Sequence, residues 1–163
     1  MKVLALDIST KSTGYAVFDD GELIQSGCAT ATSAHVLERI EKITKELEEN
    51  IDINSIDKVI AEDPIPASCG NNMAVFKALT YAQGSIAMML YKYHKLTMEF
   101  CTSSEWLSKC GIHTGRGVKR ASLKQSDIDF VKTTYNKTVN DDEADAIGIG
   151  HAYCLGNQRK SAF

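Results

Sequence analysis

The chain has 163 residues and a mass of 17.9 kDa, with 44% hydrophobic and 24% charged residues and a net charge of -3. This is the composition of an ordinary globular protein with a sizeable core, and no apolar run reaches the roughly 18 residues that a membrane-spanning helix needs. The start of the chain is too short and too early charged for a signal peptide. Five scattered cysteines without a Cys-x-x-Cys pair argue against a disulfide framework. We therefore expect one domain over residues 1–163, cytoplasmic and without a membrane partner.

Hydrophobic patterning predicts three antiparallel strands at the start of the chain. Strands are expected at residues 3–8, 14–18 and 23–30, and Asp19-Asp20-Gly21 between the last two is typical of a hairpin turn. The apolar residues between Ala34 and Glu49 repeat with helical spacing and leave the acids on the opposite face. This pattern predicts an amphipathic helix after the third strand.

Strands and helices alternate through the remainder of the chain. Apolar strands are expected at 56–62 and 96–101, and helices at 73–94, after Thr102, at 122–135 and at 142–155. The order is β-β-β-α-β-α-β-α with a terminal helix. It predicts an α/β fold in which a mixed five-stranded sheet is flanked by helices.

Four carboxylates occur where an apolar strand ends or where a helix begins: Asp7, Glu62, Asp142 and Asp145. Each has an ordinary alternative, as a turn cap, an exposed acid at a sheet edge, or acids favoured by a helix dipole. A lone buried charge costs several kcal/mol or more, whereas acids that share a divalent cation escape that cost. Taken together, the four acids predict a metal site.

Basic residues are concentrated between His113 and Lys137, although the whole chain is acidic. The bases in this segment are Arg116, Lys119, Arg120, Lys124, Lys132 and Lys137, against Asp127 and Asp129. A local basic face can bind phosphates while the remainder of the protein stays soluble. The alternative is a solvated surface.

Several other features have two interpretations. The spacings Cys110-x-x-His113 and His151-x-x-Cys154 lack a second ligand pair, so we interpret them as ordinary thiols and histidines instead of a zinc site. Trp106 is expected to pack a short helix onto the core, with base stacking as the alternative. The Met88–Leu90 stripe with Tyr91 and Tyr93 predicts core, with a helix-to-helix dimer interface as the alternative.

Four segments carry a family resemblance. They are Val-Leu-Ala-Leu-Asp7-Ile-Ser-Thr-Lys-Ser-Thr-Gly14-Tyr-Ala-Val, Ile60-Ala-Glu62, Ala82-Gln83-Gly84 and Asp142-Glu-Ala-Asp145-Ala-Ile-Gly-Ile-Gly-His. In this order they resemble RuvC-type Holliday-junction resolvases of the RNase H-like superfamily, over nearly the whole chain. Many RNase H-like and actin-like ATPase proteins share the first segment, whereas the first and last together are fairly specific.

The resemblance implies an RNase H-like fold and a homodimeric, Mg²⁺-dependent endonuclease that resolves Holliday junctions and other branched DNA by paired nicks in recombination and repair. It assigns the catalytic and metal-binding acids to Asp7, Glu62, Asp142 and Asp145, with two Mg²⁺ ions per site for which Mn²⁺ can substitute. It assigns the phosphate-facing lysine to Lys124, although Lys119 and Arg120 lie near enough in sequence to leave that choice open. Together with Arg116, these bases are the candidate DNA contacts.

One departure from the family pattern changes the expected substrate range. Bacterial members carry an aromatic residue after the second acid that wedges into the junction, whereas this chain has Asp63-Pro64-Ile65-Pro66, with Ile65 at about that place. We therefore expect broader cutting of branched DNA, forks and flaps included. A compact variant of this kind looks like a phage-encoded member acting in the cytoplasm of a bacterial host.

Three other functions remain open. The first is a branched-DNA-binding protein without cleavage activity, and the second is a nuclease acting on RNA–DNA hybrids with the same fold and metals. The third is an actin-like sugar kinase or ATPase, which needs two such domains around a nucleotide.

Overall fold

The computed structural model describes residues 1–66, 69–70, 72–112 and 120–160, without the side chains of Arg120 and of residues 157–160. Two of the predicted DNA contacts, Arg116 and Lys119, lie outside the described residues. A third, Arg120, is described only as the first backbone position of a helix.

The elements follow the predicted order. They are β1 Lys2–Asp7, β2 Ser12–Asp19, β3 Glu22–Thr30, α1 Val36–Asn50, β4 Lys58–Glu62, α2 Met73–His94, β5 Met98–Cys101, α3 Ser103–Lys109, α4 Arg120–Tyr135 and α5 Asp141–Lys160, with a 3-10 turn at Ile53–Ser55. The predicted end of the last helix near Leu155 was wrong, since α5 continues to Lys160. Gly156 is the one poor helix former at this point, and a single glycine costs only about 1 kcal/mol.

The five strands form one mixed sheet in the order β3-β2-β1-β4-β5. Strand β1 is central, antiparallel to β2 and parallel to β4, and β4 is parallel to β5. Leu6 is level with Ala61 across the parallel pair. The next residues along the two strands are Asp7 and Glu62, which therefore end at the same edge of the sheet, as the sequence predicted.

Alternation along the strands decides which face of the sheet these acids use. Leu4 and Leu6 pack with the core shared by α1 and α2, whereas Val3 and Ala5 pack with the core shared by α3, α4 and α5. Because side chains alternate along a strand, Asp7 projects on the α5 side with Val3 and Ala5. On β4, Ile60 belongs to the α5 core, so Glu62 projects on that side too.

Local backbone chemistry fixes two connections that matter for the site. At the β2–β3 turn, Asp20 and Gly21 have φ values of 47° and 90°, as a two-residue hairpin of this twist requires. At the start of α3, Thr102 accepts from the Glu105 N–H while Glu105 accepts from the Thr102 N–H. This capping box sets where α3 begins and hence where Trp106 lies.

The prediction of core for the α2 stripe was wrong for three of its residues. Met89 and Leu90 are buried, but Met88, Tyr91 and Tyr93 are 61%, 57% and 62% exposed. One side of α2 packs on the sheet, and these three side chains lie on the other side. None of the described helices is both long and apolar enough to cross a membrane.

Candidate active site

The four predicted acids line one cleft at the edge of the sheet where β1 and β4 end. The cleft has a volume of about 360 Å³, and Lys124 lies in the same wall as the acids. The remaining lining residues are Ile8, Ser9, Pro64, Cys69, Val75, Leu79 and Gln83. Ile65 is 42% exposed and is not among the lining residues, although its neighbour Pro64 is.

Gly14 allows α5 to bring its acids to Asp7. It pairs with Asp7 across the β1–β2 ladder, and a Cβ at this position would lie 1.9 Å from the carbonyl oxygen of Asp142. The first turn of α5 therefore rests directly on the backbone of β2. Since Asp142 and Asp145 stand three residues apart, they share the helix face that meets β1.

The cleft disfavours negative charge at Asp7. Burial, followed by the nearby carboxylates of Glu62 and Asp142, raises the pKa of Asp7 from its ordinary 3.8 to about 7. Asp141 adds to this rise, and the ammonium of Lys124 offsets only part of it. A bound cation would remove most of this repulsion.

A fifth carboxylate lies behind Asp145, and sequence reasoning missed it. Asp127 on α4 is 5% exposed, and its carboxyl lies close enough to that of Asp145 for each to shift the pKa of the other. Burial and the mutual proximity of the two carboxyls raise the pKa of Asp145. The spacing of Leu123 and Val131 could have revealed Asp127, because residues four apart on a helix share a face and Val131 is fully buried.

Lys124 lies at the rim of the acidic cleft. Its ammonium donates to the carboxylate of Asp141, and its side chain remains 41% exposed. This hydrogen bond raises the pKa of Lys124, with further support from Asp142 and Asp145, and it lowers the pKa of Asp141. Lys124 therefore stays charged while facing both the cleft and solvent.

Trp106 also touches the site. The prediction that it packs α3 onto the core is confirmed, since it is 3% exposed. Its indole N–H also donates to Oε2 of Glu62 at 2.7 Å. The sequence offered no sign of this contact, because the two residues are 44 positions apart.

The donor set fits a hard divalent cation. Carboxylate oxygens are the ligands that Mg²⁺ prefers, and Oδ1 of Asp145 is buried without a donor from another described residue. As the side chains stand, no three acids, histidines or cysteines among the described residues are close enough to enclose an ion. Asp7, Glu62, Asp142 and Asp145 would have to draw together around a cation.

Because the pKa of Asp7 is raised, we expect the protein to lose stability as pH rises and to regain it when Mg²⁺ binds. Folded Asp7 holds its proton up to about pH 7, whereas the unfolded chain releases it near 3.8. Without metal, the free energy of unfolding should therefore fall as pH rises between these values, by on the order of a few kcal/mol. Excess Mg²⁺ should raise the melting temperature by roughly 5–10 °C at about pH 8 and much less at about pH 5, because protons compete for the same oxygens.

Thermal melts in EDTA and in Mg²⁺ across this pH range check the prediction. Asp7→Asn should reduce the pH dependence, of which Asp127 and Asp145 retain a part, whereas Glu41→Gln, at an exposed position of α1, should leave it unchanged. Equal pH dependence of wild type and Asp7→Asn between pH 4 and pH 7 in EDTA would contradict the raised pKa of Asp7.

The fold is similar to that of several solved structures. RuvC of Thermus thermophilus in complex with a Holliday-junction substrate aligns over 98% of this chain and 96% of its own, with a TM-score of 0.76 at 12% identity. The fowlpox virus resolvase with Holliday-junction DNA aligns over 96% and 99%, with a TM-score of 0.60 at 15% identity. The yeast mitochondrial Holliday-junction resolvase Ydc2 aligns over 99% and 80%, with a TM-score of 0.62 at 11% identity. The predicted RNase H-like fold and the resemblance to RuvC-type resolvases are confirmed.

A comparison with family sequence models identifies the family of this chain. The model of the family DUF3882, described as Lactococcus phage M3 protein, matches residues 1–156, and the chain belongs to this family. The phage protein named in that description fits the expectation of a phage-encoded member. No curated protein matches the sequence significantly.

Proposed function

We propose that this protein is a Mg²⁺-dependent, structure-selective endonuclease that nicks branched DNA, Holliday junctions above all. The observation that supports this most is the convergence of Asp7, Glu62, Asp142 and Asp145 with Lys124 in one cleft of a resolvase fold. A phosphodiester needs both cationic binding and a site for an attacking water, and this cleft offers groups for each. We also propose that it acts as one domain in the cytoplasm of a bacterial host.

The roles of the residues follow from their places. The four acids would hold two Mg²⁺ ions, which when bound activate water and stabilise the leaving 3′-oxygen. Asp7, at the end of the central strand between Glu62 and Asp142, would be the central ligand of this set. Lys124 at the rim would move from Asp141 to a phosphate oxygen and offset the charge that develops there. The products would carry a 5′-phosphate and a 3′-hydroxyl.

Branched DNA is the proposed substrate because two of the similar structures hold Holliday-junction DNA. Ile65 follows β4 beside the cleft-lining Pro64 and is 42% exposed, so it can reach a base step at a branch point. An aliphatic wedge unstacks bases without stacking on them. This favours forks and flaps as additional substrates.

Paired nicks require two sites, and α2 offers a surface for a second copy. Tyr81, Met88 and Tyr91 are more than half exposed and share a helix face with Gly84. A Cβ at Gly84 would meet nothing within 4 Å, so a partner helix could approach closely there. We propose an isologous dimer across this face, with one active site for each of two strands.

A substrate panel in Mg²⁺ tests the function: four-way junction, fork, flap, linear duplex and RNA–DNA hybrid, beside a supercoiled plasmid that extrudes a cruciform. We expect nicks close to the branch point and linear plasmid as the first product, since a dimer cuts two strands within one complex. Nicked circles as the main product would contradict the dimer. Junction binding without any nicking in Mg²⁺ or Mn²⁺ would favour the binding-protein alternative, and preference for the hybrid would favour the ribonuclease.

A further inference from the structure

The indole of Trp106 is held in one orientation by the elements around it. The capping box fixes the start of α3, and Trp106 lies at the middle of this short helix with 3% of its surface exposed. On α5, Gly148 leaves room for the ring, because a Cβ there would lie 2.6 Å from Cζ3 of the indole. The ring is therefore wedged between α5 and the sheet.

This orientation aims the indole N–H at the cleft. It donates to Oε2 of Glu62 at 2.7 Å, a short distance for a hydrogen bond to a carboxylate. A buried indole N–H needs an acceptor, and Glu62 supplies one at the end of β4. The contact thus joins α3, α5 and β4 behind the acids.

Glu62 has a particular need for such support. It is the one glutamate among the four acids, and its longer side chain loses more rotamer freedom when it is fixed. An N–H that already holds Oε2 removes part of that freedom before a cation binds. Groups that orient metal ligands in this way typically change metal affinity by about 10–100-fold when they are mutated.

We propose that Trp106 is a positioning residue that holds the Glu62 carboxylate ready for a divalent cation. This inference rests on the proposed function, because it assigns Glu62 to the metal site. Trp106 touches neither DNA nor metal in this role and acts only through Glu62.

Metal affinity of the full chain tests the inference without any cleavage assay. Calorimetric titration with Mn²⁺ should show roughly 10-fold weaker binding for Trp106→Phe, which keeps an aromatic ring and lacks the N–H. Leu107→Val is the matched control, since it trims the neighbouring buried side chain of α3 and should change affinity by less than about 2-fold. In a Glu62→Ala background, Trp106→Phe should have almost no further effect, because the indole N–H then has no carboxylate to hold.

The single tryptophan of the chain gives a second readout. A ¹H–¹⁵N spectrum contains one indole signal, which should be protected from exchange and should move in Glu62→Gln. In wild type it should also shift on addition of Mg²⁺.

The outcomes separate the two proposals. If wild-type protein binds Mn²⁺ and Trp106→Phe binds it equally well, or if the two substitutions are additive, the positioning role is overturned and the proposed function stands. If wild-type protein binds no divalent cation, both are overturned.

Discussion

Asp7→Asn is expected to abolish cleavage of a four-way junction while leaving junction binding intact or tighter. Asn keeps the size of the side chain but not the charge. Position 7 lies between Glu62 and Asp142 at the end of the central strand. We expect a rate loss of about 1,000-fold or more, which corresponds to about 4 kcal/mol of transition-state stabilisation. Binding should not suffer, because the substitution removes a negative charge from a surface that approaches phosphates.

The measurement pairs single-turnover cleavage in Mg²⁺ with a gel-shift titration on the same junction. Glu41→Gln removes one acid from an exposed position of α1 and serves as the charge-matched control with unchanged cleavage. Asp7→Asn should also be more stable than wild type in EDTA near pH 8, since the repelled, buried carboxylate is gone. Full cleavage by Asp7→Asn would exclude Asp7 from the chemistry.

Gly14→Ala is expected to damage both the fold and the site. The new Cβ would lie 1.9 Å from the carbonyl oxygen and 2.5 Å from the carbonyl carbon of Asp142, and backbone atoms on both sides leave little room for relief. Overpacking of this kind costs about 3 kcal/mol or more, or roughly 6–12 °C in melting temperature for a chain of this size. The first turn of α5 must move away from β2, and Asp142 moves with it, so Mn²⁺ affinity should fall by at least about 10-fold.

Gly150→Ala is the matched control. Its Cβ would meet the Phe18 ring at 2.3 Å, so it also overpacks the contact between α5 and the sheet, but two helical turns away from Asp142. It should lower the melting temperature while the folded fraction binds Mn²⁺ with near-native affinity. If Gly14→Ala keeps both its stability and its metal affinity, α5 does not rest on β2 as described.

Much of the fold was predictable because local patterns carried it. The Asp19–Gly21 turn, the apolar runs of β1 and β4 and the 73–94 helix each depend on residues close together in the sequence, and all were confirmed. The α2 stripe was misjudged for the opposite reason. Helical periodicity identifies a face but not its partner, and Met88 and Tyr91 belong to a face that the sheet does not cover.

The site residues were likewise predictable only in part. The four acids were predicted from their places at strand ends and at a helix start, and Lys124 from the family resemblance, and all five line one cleft. The groups behind them were missed. Asp127 was counted as one more charge in a basic segment, and Trp106 was expected to be core, with base stacking as the alternative, because their partners lie 18 and 44 residues away.

By itself, the sequence determined the order of strands and helices, the face of β1 and β4 that carries acids, and the small residues Gly14, Gly148 and Gly150 that let α5 approach. Only the tertiary structure decided which side chains meet when α5 packs on the sheet. Packing α5 on β1 and β2 buries Asp7 among other carboxylates, sets Asp145 against Asp127 and turns the Trp106 indole toward Glu62. Burial and mutual repulsion are properties of this assembled arrangement, since they depend on distances between elements that no local pattern contains.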